Sequence, residues 1–170
     1  MENYAITIST TQPADLADLI GLWNNGAVMQ SVNFPDGLGV DMAAMQAWYA
    51  KLQANPDSHH YIVRATPLGF CGELFYRCYP AQRLASLDIK LLPAAHGRGI
   101  GSYSLRWLIE AVFKNELGID SVFVEPNAGN QAAIKLYQRA GLHPGPRPAF
   151  LHPADSYWSL ARRDSEAKRA

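Results

Sequence analysis

The sequence has few cysteines, no excess of either charge and no long apolar run. Its two cysteines, Cys71 and Cys78, are too few for a disulfide framework, which favours a reducing, cytoplasmic compartment. Because both lie in one apolar run and no clustered histidines complete a ligand set, we expect buried strand thiols and no metal site. The formal net charge is zero, and no apolar stretch approaches the roughly 20 residues needed to span a bilayer. We expect a globular protein with neither nucleic acid nor a membrane as its partner.

The 170 residues suffice for one domain, and their apolar patterns predict a mixed α/β fold. Three apolar runs joined by short turns, at residues 61–65, 70–79 and 84–92, predict an antiparallel meander. A long helix to about Leu117, a strand over 121–125 and a helix over 131–140 are predicted after it. Two helices are predicted before it, one ending at Asn24-Asn25-Gly26 and one capped by Asp41. The domain is predicted to span residues 1–161, followed by a charged tail over 162–170.

One stretch, from Pro93 to Gly101, places three glycines between an apolar strand and an amphipathic helix. The first N–H groups of a helix have no partner within it, so this end carries a partial positive charge and favours an anion. Between Lys90 and Ile109 the chain nevertheless has no acidic residue. Either an anionic ligand completes the site, or the glycines form a flexible turn with Arg98 pointing into water.

Two known phosphate cradles fit this stretch poorly. A Walker loop ends in Gly-Lys-Ser/Thr, whereas this stretch ends in Gly-Ile-Gly-Ser. The dinucleotide fingerprint needs Gly-x-Gly-x-x-Gly, whereas the glycines here are evenly spaced. The pattern therefore favours neither nucleotide site.

The stretch resembles the pyrophosphate loop of the GNAT superfamily of acyl-CoA-dependent N-acyltransferases, in which Arg/Gln-x-x-Gly-x-Gly/Ala follows a strand and opens a long helix. The matching residues are His96, Gly97, Arg98, Gly99, Ile100, Gly101 and Ser102. His96 stands where the family usually has Arg or Gln. The resemblance implies that the CoA pyrophosphate is held by the backbone N–H groups of Arg98, Gly99, Gly101 and Ser102.

A second block, EPNAGNQAAIKLYQRAGL from Glu125 to Leu142, resembles the family's Asn-x-x-Ala-x-x-Leu-Tyr-x-x-x-Gly-Phe pattern. The residue types agree with a helix, since Asn130 is placed to cap it and Gly141 to end it. Spacing alone favours an amphipathic helix with a core tyrosine. The resemblance instead assigns Asn130 and Tyr137 to the cosubstrate site, because the family's tyrosine lies beside the CoA sulfur and can protonate the departing thiolate.

The resemblance implies a mixed, mainly antiparallel sheet that is splayed at its centre and flanked by helices on both faces. The implied cosubstrate is acetyl-CoA, whose pantetheine is expected along the strand edge at Leu91 and Leu92.

The implied reaction is direct attack of a primary amine on the thioester. The amine has an ordinary pKa of about 10.4, so a carboxylate must take its proton at neutral pH. Tyr137 is the implied general acid. Glu125 is the implied base, with Asp88 and Glu73 as alternatives, and each carboxylate also has a purely structural interpretation.

In this superfamily the N-terminal helices and the loop between them wall the acceptor site. That region runs here from about Trp23 to Trp48, with Phe34, Asp36 and Asp41 between them. Aromatic and acidic side chains suit a cationic amine, although core packing explains the two tryptophans equally well.

The second block looks most like the branch that holds ribosomal-protein alanine, polyamine and aminoglycoside 6′-acetyltransferases. Three functions stay open: acetylation of a small cationic amine, acetylation of a protein or peptide N-terminus, and non-catalytic binding of acyl-CoA. The family also makes a homodimer an option.

Overall fold

The structure is a computed structural model that describes residues 4–153 and 156–167. Its helices are α1 (Leu16–Trp23), α2 (Gly26–Met29), α3 (Met42–Ala54), α4 (Ile100–Asn115), α5 (Gln131–Ala140) and α6 (Arg162–Ala167). Its strands are β1 (Ala5–Thr10), β2 (Ser58–Thr66), β3 (Gly69–Tyr79), β4 (Leu84–Leu91), β5 (Ser121–Val124), β6 (His143–Pro144) and β7 (Trp158–Ala161). Within these described ranges, no helix is both long and apolar enough to cross a membrane.

The strands form one sheet in the order β1-β2-β3-β4-β5-β7-β6. Neighbours run antiparallel except β4 and β5, which are parallel. The predicted meander is confirmed as β2, β3 and β4. Residues 84–86 of β4 pair with 121–123 of β5, whereas β4 itself continues to Leu91. The two strands therefore separate near the middle of the sheet, as the splayed fold requires.

Helices cover both faces of the sheet. One core, which includes Val63 and Leu108, lies between the sheet and the pair α4 and α5. The other core, which includes Leu19 and Ile62, lies under α1, α2 and α3. Successive side chains of a strand point to opposite faces, which explains why Ile62 and Val63 belong to different cores. The predicted fold class is confirmed.

The capping residues predicted from sequence begin and end their helices in the structure. The Asp41 carboxylate accepts a hydrogen bond from the Ala44 N–H at 2.8 Å and begins α3. The Asn130 side chain accepts from the Ala133 N–H at 3.1 Å and begins α5. Gly141 ends α5 with φ at 95°, a conformation that favours glycine.

One short helix, α2, was not predicted. The Asn24-Asn25-Gly26 segment ends α1 as predicted but then restarts a helix at once, because the Asn25 side chain accepts a hydrogen bond from the Val28 N–H. A four-residue helix carries too little apolar periodicity to be recognised from sequence. This missed element later forms a wall of the candidate site.

The two cysteines are buried free thiols on β3, as predicted. Burial raises the pKa of the Cys71 thiol, and it raises the pKa of the Cys78 thiol to about 12. Both side chains therefore act as small core residues and not as reactive thiolates.

The predicted tail begins as α6, and its first residue belongs to the packed fold. The Arg162 guanidinium donates to the backbone carbonyls of Glu116 at 2.8 Å and Ile119 at 3.0 Å, just beyond the end of α4. It thereby satisfies carbonyl groups at the helix C-terminus. Residues 168–170 of the predicted tail lie outside the described residues, and the division of the chain at residue 161 stays a prediction.

Candidate active site

A cavity of about 680 Å³ opens where β4 and β5 separate. The two strands form its middle, and the N-terminal end of α4 and the helix α5 form one side. The helix α2 and the turn after it form the other side. One chamber therefore joins the two faces of the sheet through the split.

The N-terminal end of α4 closes one end of this chamber. Gly99 begins the helix at φ 77°, and Gly97 has φ 71°, both in the left-handed region that favours glycine. The first turn has neither an acidic residue nor a side-chain cap, so its N–H groups are available to an anion. A Cβ added at either glycine would meet no atom within 4 Å, so the space in front of the helix is open.

The side chains of Arg98 and His96 both contact nearby protein groups. The Arg98 guanidinium donates to the Ala94 carbonyl at 2.8 Å and to the Tyr4 hydroxyl, and it lies 5.3 Å from the Tyr4 ring centroid. His96 lines the cavity, and its Nε2 donates to the Leu91 carbonyl at 3.2 Å. The backbone N–H groups and the helix dipole at this helix end favour an anion whatever these two side chains contact.

The cavity brings together eight of the residues predicted to bind the cosubstrate: Leu91, His96, Gly97, Gly99, Gly101, Ser102, Asn130 and Tyr137. The side chains of the other three lie elsewhere. Ile100 is fully buried in one core, Leu92 packs against the other, and Arg98 contacts Tyr4. Any role of these three in binding the cosubstrate stays a prediction.

Tyr137 lies on α5 and faces the cavity with only 7% of its surface exposed. Burial raises its pKa well above the ordinary value of 10.0, the negative charge of Asp88 raises it further, and the positive charge of Lys90 opposes the shift. The hydroxyl is therefore protonated, and able to donate a hydrogen bond, throughout the physiological pH range.

Two of the predicted carboxylates, Asp88 and Glu125, line the cavity, and each is paired with a cation. Asp88 on β4 binds the ammonium group of Lys90, and Glu125 just beyond β5 binds the guanidinium of Arg147. The charge of Asp88 acts on the pKa of Tyr137, whereas that of Glu125 acts on the pKa of Tyr157. Asp88 is therefore the carboxylate with the stronger electrostatic link to Tyr137.

The third predicted carboxylate, Glu73, is buried beside the cavity and does not line it. It accepts hydrogen bonds from the Trp23 ring N–H at 2.8 Å and from His60 at 3.0 Å, and it pairs with Lys90 at 3.2 Å. Burial by itself would raise the pKa of Glu73, but the hydrogen bond from His60 and the charge of Lys90 outweigh burial and hold it below its usual value. Glu73 is thus a buried carboxylate whose oxygens are already occupied by protein groups.

None of the aromatic and acidic side chains predicted for the acceptor wall lines the cavity: the two tryptophans are packed into the protein, whereas Phe34 and Asp36 are exposed to solvent. Trp23 and Trp48 contact each other edge to face, with ring centroids 4.9 Å apart, and Trp48 contacts His60 in the same way. Asp41 is the cap of α3. These contacts favour the interpretation that the two tryptophans serve core packing.

The cavity wall on that side lies within the predicted region of residues 23–48, but other side chains than the predicted aromatic and acidic ones form it. They lie on α2 and the turn after it: Ala27, Val28, Gln30, Ser31 and Val32. Lys90, which also lines the cavity, pairs with Asp88 and Glu73. The alternation of β4, which puts residues 88 and 90 on one face, could have signalled this pairing.

Comparison with known proteins agrees with this geometry. The family model described as "Acetyltransferase (GNAT) domain" matches residues 6–143. No curated protein matches the chain by sequence.

Two solved structures illustrate the structural likeness. The spermidine N-acetyltransferase from Vibrio cholerae, in complex with CoA and spermine, has a TM-score of 0.80 and 15% identity, over 95% of this chain and 98% of that chain. The aminoglycoside acetyltransferase AAC(6')-Ib, in complex with coenzyme A and kanamycin, has a TM-score of 0.79 and 19% identity, over 98% of this chain and 100% of that chain. At these identities the likeness shows a shared fold.

Proposed function

Since residues 6–143 match its family model, the chain belongs to the GNAT acetyltransferases, and we propose that it transfers an acetyl group from acetyl-CoA to a primary amine. One observation carries the proposal: a single cavity joins an open helix N-terminus to the protonated hydroxyl of Tyr137 through the split in the sheet. The first feature suits a pyrophosphate, and the second suits a departing thiolate.

The residues present fit acetyl-CoA. The N–H groups at the start of α4 can donate hydrogen bonds to its pyrophosphate, and Gly97 and Gly99 leave the approach open. Beyond residue 86, the side of β4 that faces β5 has no strand pairing, so its backbone groups, apart from the Leu91 carbonyl that accepts from His96, are available to the amides of the pantetheine arm. Acetyl-CoA supplies the activated acetyl group, and the protein orients it.

In this proposal Asp88 takes the proton of the amine and Tyr137 gives one to the leaving sulfur. Asp88 is favoured over Glu125 because its charge acts on Tyr137, and over Glu73 because it lines the cavity. A thiol has a pKa of about 8.5, so a tyrosine donates to its thiolate only when geometry holds the two together. Burial of Tyr137 on α5 supplies that positioning.

The acceptor is proposed to be a small cationic amine. The solved relatives above bind spermine and an aminoglycoside, and the α2 side of the cavity is open to a small molecule. A peptide N-terminus is the second acceptor class, and a non-catalytic acyl-CoA-binding module is the alternative to both. The buried Tyr137 hydroxyl in the cavity wall favours the catalytic proposal, because CoA binding alone does not need this hydroxyl. The homodimer and the cytoplasmic location stay predictions.

The test is release of free thiol from acetyl-CoA in the presence of spermidine, kanamycin or a short peptide with a free N-terminus. The proposal expects turnover with at least one of these amines and its loss in Tyr137→Phe. Tight binding of CoA without turnover on any amine would favour the binding-module alternative and overturn the enzymatic proposal.

A further inference from the structure

We propose that Glu73 is a positioning residue for acetyl transfer, which holds the ammonium group of Lys90 against Asp88 and so fixes the Asp88 carboxylate in the cavity. The inference rests on the proposed function, because Asp88 is the proposed base. Glu73 itself is buried and reaches the cavity only through Lys90.

Glu73 is held from three directions. Its Oε2 accepts from the Trp23 ring N–H on α1 and from His60 Nε2 on β2, and its Oε1 pairs with Lys90 on β4. A carboxylate only accepts hydrogen bonds, so His60 Nε2 carries a proton. Its Nδ1 can then accept from the hydroxyl of Thr11, 2.6 Å away. All of these groups converge on one fixed carboxylate.

Lys90 lies between a buried carboxylate and a carboxylate in the cavity. Glu73 and Lys90 face each other across the antiparallel pair of β3 and β4. Asp88 is two residues before Lys90 on the same strand, so both side chains lie on the same face of the sheet. The Lys90 ammonium pairs with both carboxylates while its side chain is only 13% exposed. A largely buried ammonium needs negative charge beside it to offset the loss of hydration. Of its two carboxylate partners, Glu73 is the one that is held in place by other protein groups.

The position of Asp88 depends on this bridge because its own side chain is 44% exposed. A half-exposed carboxylate can adopt several rotamers, and most of them would point away from the amine. The charges of Asp88 and Lys90 also act in opposite directions on the pKa of Tyr137. The Glu73–Lys90–Asp88 bridge therefore links the support of the proposed base to the environment of the proposed acid.

The test uses the double variant Glu73→Gln/Lys90→Met, which removes both buried charges and keeps similar volumes, a change that buried ion pairs often tolerate. We expect a folded protein whose kcat is about tenfold lower, with an unchanged KM for acetyl-CoA, because the base is present but unheld. Glu116→Gln is the matched control, because Glu116, like Glu73, contacts an aromatic side chain and a histidine. Its partners are the Tyr76 hydroxyl and His59, and it lies outside the cavity. This control should keep the wild-type kcat.

A second comparison separates positioning from general damage to the fold. In an Asp88→Asn background, adding Glu73→Gln/Lys90→Met should lower kcat by less than about twofold, because the bridge has no base left to position. A full tenfold further loss, or a wild-type kcat in the double variant alone, would overturn the inference. Absence of turnover by the wild-type protein on every amine would instead overturn the proposed function and this inference with it.

Discussion

The two halves of the cavity are built in different ways. The half assigned to acetyl-CoA comes from two continuous segments, residues 96–102 and 130–137, and depends largely on backbone N–H groups and helix ends. The half assigned to the acceptor comes from α2 and from β4, and a buried polar cluster that joins four elements contacts it through Lys90. A binding site made from local backbone geometry leaves a pattern in the sequence. A site made from distant side chains leaves almost none, and each half can be tested separately.

The largest effect is expected from Tyr137→Phe, which touches the point where the two halves meet. Its kcat should fall by about 10³-fold, because the buried position lets no water replace the lost proton donor. The affinity for acetyl-CoA should change by less than about twofold, since phenylalanine keeps the aromatic ring and lacks only the hydroxyl. Steady-state kinetics and calorimetric binding of CoA measure the two quantities. Tyr103→Phe on the exposed face of α4 is the control, and equal activity of the two variants would refute the assigned acid.

Asp88→Asn should have the next largest effect, on the acceptor half alone. Its kcat should fall by about 10²-fold, less than for the tyrosine, because water can partly replace a base at a half-exposed carboxylate. Glu125→Gln, which loses an ion pair with Arg147, should lose less activity. The comparison is made at saturating acetyl-CoA with the amine varied. A larger loss in Glu125→Gln would reverse the choice of base.

Gly99→Asp should damage the cosubstrate half alone. The new side chain is strained at φ 77°, and its carboxylate faces the place proposed for the pyrophosphate. The Kd for acetyl-CoA should rise by about tenfold or more, which corresponds to about 1.4 kcal/mol. Gly69→Asp carries the same backbone strain at φ 80° in a turn away from the cavity, and its Kd should stay at the wild-type value. An unchanged Kd in Gly99→Asp would show that the pyrophosphate does not bind at the start of α4.

A small effect is expected from Val32→Ala in the wall beyond α2. The KM for the amine should rise by about threefold through lost apolar contact, while the KM for acetyl-CoA stays constant. Leu117→Ala is a control at a side chain that is 81% exposed and outside the cavity wall. A change in the KM for acetyl-CoA would show that the two halves are not separate.

The last prediction concerns alkaline pH, where no loss of kcat is expected. Because the pKa of Tyr137 is raised above 10.0, the hydroxyl keeps its proton as the pH rises from 7 to that value. The kcat should therefore show no decline from ionisation of this tyrosine below about pH 10. A decline near pH 8 that disappears in Tyr137→Phe would contradict the raised pKa.

Sequence reasoning succeeded where structure is local. The cap at Asn130 and the end of α5 at Gly141 follow from the conformations that these residue types favour. The strands of the meander follow from apolar alternation, although β2 begins at Ser58, three residues earlier than predicted. Antiparallel pairing with β3 extends it, and that is a tertiary effect.

The predictions were weaker where side chains meet across the sheet. Glu73, His60 and Trp23 are far apart in sequence, and only the register of β2, β3 and the end of α1 brings them together. Lys90 is close in sequence to the glycine stretch, whereas strand pairing places it opposite Glu73. The acceptor wall lies within the predicted region of residues 23–48, but the helix α2 itself was missed because four residues carry no helical pattern.

The most direct test of a single chamber for both substrates is a matrix of initial rates in which acetyl-CoA and the amine are varied together. If both occupy the cavity at once and the amine attacks the thioester directly, double-reciprocal plots should intersect, which is the pattern of a ternary complex. Parallel lines would indicate an acetylated enzyme as intermediate. That result would contradict the account, because it requires a nucleophile in the protein and release of CoA before the amine reacts.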